Sequence, residues 1–326
     1  MFRLPRIIPL SIGLAALVLG MMVAQSQPEQ NRWKVPLEES ELSEAENPFE
    51  GTDLEPFDVE SPATAQVVLS ALERGYPSKV SSFGYDEEAK DWFILVGTRK
   101  FLWAKGRLLP QAQARNARKW RPYVDYLYPW EVPNPETFSQ ELIQELKRIS
   151  DPDHRASQSP YNLDFFDSLY DGKTRSSMER HIVSTRFLGR RVNLHQDIVP
   201  ALAAVEDRLR EEAQRNPKVR DFIRSISRVE GYNWREIRGR QDRSFHSWGI
   251  AVDILPEGWQ QKNIYWSWLS HRNPDWMLIP LEHRWMPPQE VVSIFERYGF
   301  VWGGKWLQWD NIHFEYRPEL IILRRR

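Results

Sequence analysis

Ser244-Phe245-His246-Ser247-Trp248-Gly249-Ile250-Ala251-Val252-Asp253-Ile254-Leu255 is the stretch from which the fold and the chemistry of this chain are read. Gly249 to Leu255 is a short apolar run, one strand long, with a single carboxylate inside it. An ionised Asp buried alone in a strand is unfavourable by several kcal/mol unless a charge or a metal partners it. A second segment of the same character runs from Trp302 to Glu315 and sets His313 among aromatic and apolar residues. The chain contains no cysteine and only 7 histidines in 326 residues. Disulfides, zinc fingers, iron–sulfur clusters and cysteine nucleophiles are thereby excluded, and a transition metal would have to be held by His and carboxylates. His246, Asp253 and His313 form such a set. Three protein ligands rather than four is the pattern of catalytic Zn²⁺, with the fourth position open to a water whose pKa falls to about 7.

That water needs a base. Asp310 lies three residues before His313, so both reach one cavity if the chain turns tightly there. Glu315 shares a strand face with His313 by the period of two, as an alternative base or as a partner that orients the imidazole.

The residues around these side chains are more specific than the side chains alone. Ser244-x-His246-x-x-Gly249-x-Ala251-x-Asp253, then Gly299-Phe-x-Trp302-Gly-Gly-x-Trp306 and Asp310-x-x-His313-Phe, resembles the zinc-dependent D-alanyl-D-alanine carboxypeptidase and L-alanyl-D-glutamate peptidase family. Those bacterial and phage enzymes cut peptidoglycan stem peptides. The resemblance covers roughly residues 225 to 317. It implies His246, Asp253 and His313 as zinc ligands, Asp310 as the catalytic base, and peptidoglycan peptides as substrate. It also implies an upstream arginine, in a Tyr-Arg context, that holds substrate and stabilises the oxyanion. Gly231-Tyr232-Asn233-Trp234-Arg235 is the closest match, with two residues between Tyr232 and Arg235 and a short gap to His246. Arg238, Arg240 and Arg243 compete for the role; Ser244 joins Arg235 as a substrate-binding candidate. The fold implied is α+β: a small antiparallel sheet bearing the zinc site, helices packed against it, and the two metal-bearing segments as neighbouring strands or strand ends.

Outside the motif the chain changes character several times. Arg3 and Arg6 precede the apolar run Ile7 to Ala24, and Ala24-Gln25-Ser26 offers small residues for cleavage. Residues 1–26 therefore read as an export signal, removed or kept as a single membrane anchor, which places the body in the periplasm or cell envelope. Residues 27–64 read as a solvated acidic linker, with ten acidic residues and no basic one from Glu38 to Glu60. Residues 65–125 read as a module containing a hairpin around Gly97-Thr98. Between Arg99 and Arg121 stand eight basic residues and no acidic one, interleaved with Phe101, Trp103 and Trp120. This is either a hairpin with one solvated basic face or a surface for an anionic envelope polymer. Residues 126–326 read as a helical region leading into the peptidase part, with helices over Pro135–Ile149, Ile198–Leu209 and Pro288–Tyr298. His195, before a helix, reads as structural; His283 has no partner at metal spacing, and His154, His181 and His271 lie in polar surroundings that point to solvent.

The formal charge, 44 Lys+Arg against 45 Asp+Glu, carries no signature of a nucleic-acid binder, and no nucleic-acid partner is expected. The 15 Trp and 23 Pro suggest aromatic surfaces and fixed turns suited to extended or sugar-rich ligands, or simply an aromatic core. Three functions follow: an exported zinc peptidase acting on peptidoglycan; a wall-binding protein that keeps the fold without turnover; and a binder of anionic polymer through Arg99–Arg121.

Overall fold

A computed structural model describes residues 61–123, 127–237, 239–240 and 242–324. The expected export signal and the acidic linker up to residue 60 lie outside the described residues, as does Arg238. The first described element is the helix Pro62–Gly75, which begins inside the range read as linker. Ala65, Val68, Leu69 and Leu72 recur at helical spacing and are fully buried, which is why this stretch leaves the acidic tract behind.

Strands β1 (Val80–Asp86), β2 (Asp91–Val96), β3 (Arg99–Leu102) and β4 (Leu109–Pro110) follow as an antiparallel meander in sequential order. The expected hairpin is the β2–β3 pair, turned at Gly97 in the left-handed region (φ 57°). A two-stranded hairpin, β5 (Ile182–Phe187) and β6 (Arg190–His195), precedes the helix Val199–Arg215. That helix buries the Leu202, Val205 and Leu209 stripe and runs beyond the expected end at Leu209 to Asn216-Pro217. The expected Pro135–Ile149 helix divides. Residues Pro135–Thr137 make one tight turn, Phe138 is extended, and Ser139 caps a new helix, Gln140–Ser150, by accepting from the Leu142 amide at 3.2 Å.

The sheet that matters for chemistry contains β7 (Ile226–Glu230), β8 (Ala251–Pro256), β9 (Phe300–Trp302) and β10 (His313–Tyr316) in the order β7-β8-β10-β9, all antiparallel. The fold class is α+β, as the motif implies. The register sets His313 opposite Asp253 on β8, bringing residues 60 positions apart into contact. The helix Gln289–Arg297 packs on this sheet, with the Phe295 ring stacked on Phe314 at 4.0 Å.

One apolar core runs from Val68 and Leu72 through Phe165, Phe166 and Val205 to Val252, Phe314 and Leu320. Residues 65–123 thus share their interior with the metal-motif region. A polar link ties the two as well: the Tyr76 hydroxyl, just past the first helix, donates to Glu319 Oε2 at 2.7 Å, on the C-terminal helix Pro318–Arg324. No helix among the described residues is long and apolar enough to cross a membrane.

Candidate metal centre

The ligand loop is built around two backbone constraints. Ser244 stands at the start of the tight turn Phe245–Trp248, and its Oγ accepts from the His246 amide at 3.4 Å. Ser244 is buried and acts here as a cap. Gly249 ends the turn at φ 66°, where a Cβ would stand 2.6 Å from Ile182 Cδ1 and 2.7 Å from His195 N. Only glycine fits both the angle and the space. The buried His195 lies behind this loop and donates its backbone N–H to Gly249 O at 2.9 Å, a structural placement. His181 departs from the solvent position its surroundings suggest: it is half-buried and meets Asp171 at 3.0 Å.

His246, Asp253 and His313 each offer one ligand atom, and these atoms all lie within 4.8 Å of one another. His246 Nδ1 lies 2.7 Å from Gly231 O, and a carbonyl only accepts, so the ring proton sits there and Nε2 is left as a donor atom for a metal. Nε2 is buried, 3.2 Å from Asp253 Oδ1, and has hydrogen-bond geometry to no group among the described residues. His313 turns Nδ1 to Asp253 Oδ1 at 2.9 Å and Nε2 to Glu315 Oε2 at 3.1 Å. Each imidazole is thus held by its outer nitrogen, with its inner nitrogen facing one carboxylate. An orphaned imidazole nitrogen and two ligands pre-oriented from behind fit a divalent cation.

The electrostatics agree. Burial alone would raise the Asp253 carboxyl, but the imidazoles of His246 and His313 outweigh it and hold Asp253 well below the usual carboxylate range. Burial opposes a charged His313, yet the carboxylates of Asp253 and Glu315 prevail and raise it well above an ordinary imidazole. A metal bound here would therefore release a proton.

Asp310 stands over this cluster. Its Oδ1 is buried with no hydrogen-bond partner among the described residues, and burial, then the Asp253 charge, push its carboxyl up to about 8. His313 and Arg235 act in the opposite direction. The loop that presents it is tight. Asp310 N donates to Gly303 O at 2.9 Å, and a Cβ on Gly303 would lie 2.7 Å from Asp310 O. The buried Arg284 supports the preceding residue, its guanidinium 4.6 Å from the Trp309 ring centroid. Tyr265 pairs with Asp310 through a β-bridge, and burial followed by the Asp310 charge raises its hydroxyl to about 12. Tyr265 was not read from the sequence. It lies in an aromatic stretch with no fixed spacing to the motif, and only the bridge reveals it.

Arg235 lines a cleft of about 440 Å³ together with Asn193, Glu230, Tyr232, His246 and Asp253. Its backbone is stitched down, the amide donating to Ser247 Oγ at 2.9 Å and the carbonyl accepting from Ser244 N at 3.1 Å, while the side chain is exposed. Two of its competitors, Arg243 and Arg240, are engaged elsewhere. Arg243 donates to Gly172 O at 2.7 Å, pairs with Asp167, and lies between Trp234 and Trp248 at 4.5 and 4.3 Å. Arg240 pairs with Asp242 at 2.9 Å. Glu315, offered as an alternative base, stands behind His313 and next to Arg317 at 3.3 Å. Arg317 in turn pairs with the fully buried Glu319.

The Arg99–Arg121 surface is corrected in one respect. Phe101 and Trp103 are buried in the core and offer no stacking faces. Arg121 pairs with Asp242 and stacks on Tyr161 at 3.6 Å, and Arg107 donates to Trp120 O at 2.7 Å. The exposed residues of β3, Arg99 and Lys100, precede the buried pair Phe101 and Leu102, so the aromatic rings of this stretch go into the core while its basic side chains stay outside.

The geometry thus brings two His and one Asp together on an antiparallel sheet as a group that could hold a metal ion, with the buried Asp310 nearby and a cleft lined by His246 and Asp253. Residues 238–316 match the sequence model of the family described as D-alanyl-D-alanine carboxypeptidase, and this supports a peptidase of that family. Residues 68–125 match a domain of unknown function (DUF8518). Comparison with curated proteins and with solved structures gives no match.

Proposed function

We propose that the protein is an exported zinc peptidase that hydrolyses peptide bonds in peptidoglycan stem peptides. The observation that carries this reading is the convergence of His246, Asp253 and His313 beside a buried Asp310 oxygen that has no partner among the described residues. A zinc ion held by the three residues would supply Lewis acidity toward water and toward the scissile carbonyl. Asp310, kept basic by burial and by Asp253, takes the proton of the attacking water and delivers it to the leaving amine. Arg235, on the same cleft, offers a guanidinium to the oxygen that gains charge in the transition state and to substrate carboxylates, which it can clamp in bidentate fashion. Tyr265 holds the Asp310 backbone through their β-bridge. Export is part of this reading and rests on the basic-then-apolar residues 1–26.

Mass spectrometry of defined muropeptides incubated with the zinc-loaded protein tests the proposal, and the product masses identify the bond. Asp310→Asn should keep its metal and lose turnover by ~10²-fold or more, the usual cost of removing a general base. Full activity in Asp310→Asn, with Glu315→Gln inactive, would move the base to the other carboxylate.

A further inference from the structure

Trp268 is 40% exposed, although an indole of that size is usually covered. It lies 5.2 Å from the Trp259 ring and 5.6 Å from Tyr265, the residue bridged to Asp310. These three rings form a ledge that starts at the catalytic carboxylate and leads away from it. Beside the ledge opens a cleft of about 480 Å³, lined among others by Gln260, Gln261, Arg272 and Asn273. Gln260, Gln261 and Arg272 are exposed and their side chains make no hydrogen bond among the described residues.

We propose that this ledge and cleft bind the amino-sugar backbone of the polymer whose peptides the site cleaves; the proposal rests on the peptidoglycan reading above. A pyranose ring has an apolar C–H face that covers an indole and a rim of hydroxyl and acetamido groups that pair with side-chain amides. Both complements are present here, side by side. An extended peptide fits less well, because the backbone groups that would pair with it are used. Trp266 N donates to Trp309 O at 3.1 Å and Asn311 N to Ile264 O at 2.8 Å. The same two hydrogen bonds fasten the ledge to the loop that carries Asp310. A glycan held there would keep its attached stem peptide within reach of the metal centre.

The test is a binding titration, followed by intrinsic fluorescence and calorimetry, of the full protein with the hexamer of N-acetylglucosamine and with peptide-free glycan strands. Saturable binding is expected, weakened roughly ten-fold or more by Trp268→Ala and several-fold by Gln261→Ala. Trp130→Ala serves as control, since Trp130 is 39% exposed but lies under Arg324, at 4.2 Å. It should bind like the wild type. Absence of saturable binding to both glycans overturns the proposal, as does undiminished binding by Trp268→Ala and Gln261→Ala. Binding is read without turnover. A protein that binds glycan yet leaves every muropeptide intact would sink the peptidase reading, and one that cleaves muropeptides without binding glycan would sink only this inference.

Discussion

The β1–β4 sheet keeps its charges at the surface, whereas the β7–β10 sheet carries them inside. In the first, Lys100 meets Asp86 at 2.8 Å in open solvent, and β3 exposes Arg99 and Lys100 while it buries Phe101 and Leu102. In the second, all four residues of β10 are buried, His313 and Glu315 among them, and Asp253 sits within an otherwise buried β8. Both sheets are antiparallel and four-stranded, so topology does not separate them. What separates them is the expense of leaving a polar group unpaired. At a surface, water replaces a lost partner; in a closed sheet nothing does, and each charge must be matched. The chain meets that demand by a line of partners from Asp253 through His313, Glu315, Arg317 and Glu319 to Tyr76. Two of the buried atoms left out of such pairing, His246 Nε2 and Asp310 Oδ1, belong to the proposed ligand set and base.

Substitutions can break this contrast at graded points. The largest effect is expected from His246→Ala, which removes a ligand and should reduce stoichiometric metal to near zero by elemental analysis; retained metal would place the site elsewhere. Glu315→Gln leaves all three ligands but takes the carboxylate from behind His313. Metal affinity should weaken by roughly 10–100-fold in a competition titration with a chelator, as is typical when the partner of a ligating imidazole is lost. Tyr76→Phe acts at the far end of the same line, where the first helix meets the C-terminal one. The buried Glu319 then loses one hydrogen bond, a destabilisation of about 1–3 kcal/mol by denaturant titration, with metal affinity unchanged. A shift in affinity as large as that of Glu315→Gln would mean that the two regions work as one. The smallest effect belongs to Lys100→Ala on the first sheet. Its ion pair faces solvent, and the thermal midpoint should stay where it is.

The proposed ligand set, which the structure brings together, was legible because its chemistry is local. A carboxylate inside an apolar run demands a partner whatever surrounds it, and two histidines in matching settings were the available ones. Helices with a clear apolar stripe, such as Val199–Arg215 and Gln289–Arg297, were legible for the same reason, although the first runs on from its expected end at Leu209 to Arg215. The antiparallel placement of the two metal-bearing segments came from the resemblance, and the register of His313 on Asp253 gives it a physical form.

Where chemically equal residues compete, spacing is silent and burial decides. Arg235, Arg240 and Arg243 are the same side chain within nine positions. Packing alone seals Arg243 between Trp234 and Trp248, ties Arg240 to Asp242, and leaves Arg235 on the cleft. Asp310 was the base favoured by the sequence and Glu315 its alternative; the strand puts Glu315 behind His313, and the turn at Gly303 fixes the Asp310 backbone. Phe101 and Trp103, Tyr265 at its bridge, and Tyr76 on Glu319 are decisions of the same kind. Sequence by itself determined which groups can bind a cation, because ligand chemistry resides in single side chains. Tertiary structure alone decided which of them meet, because long-range pairing and shared burial belong to the whole chain.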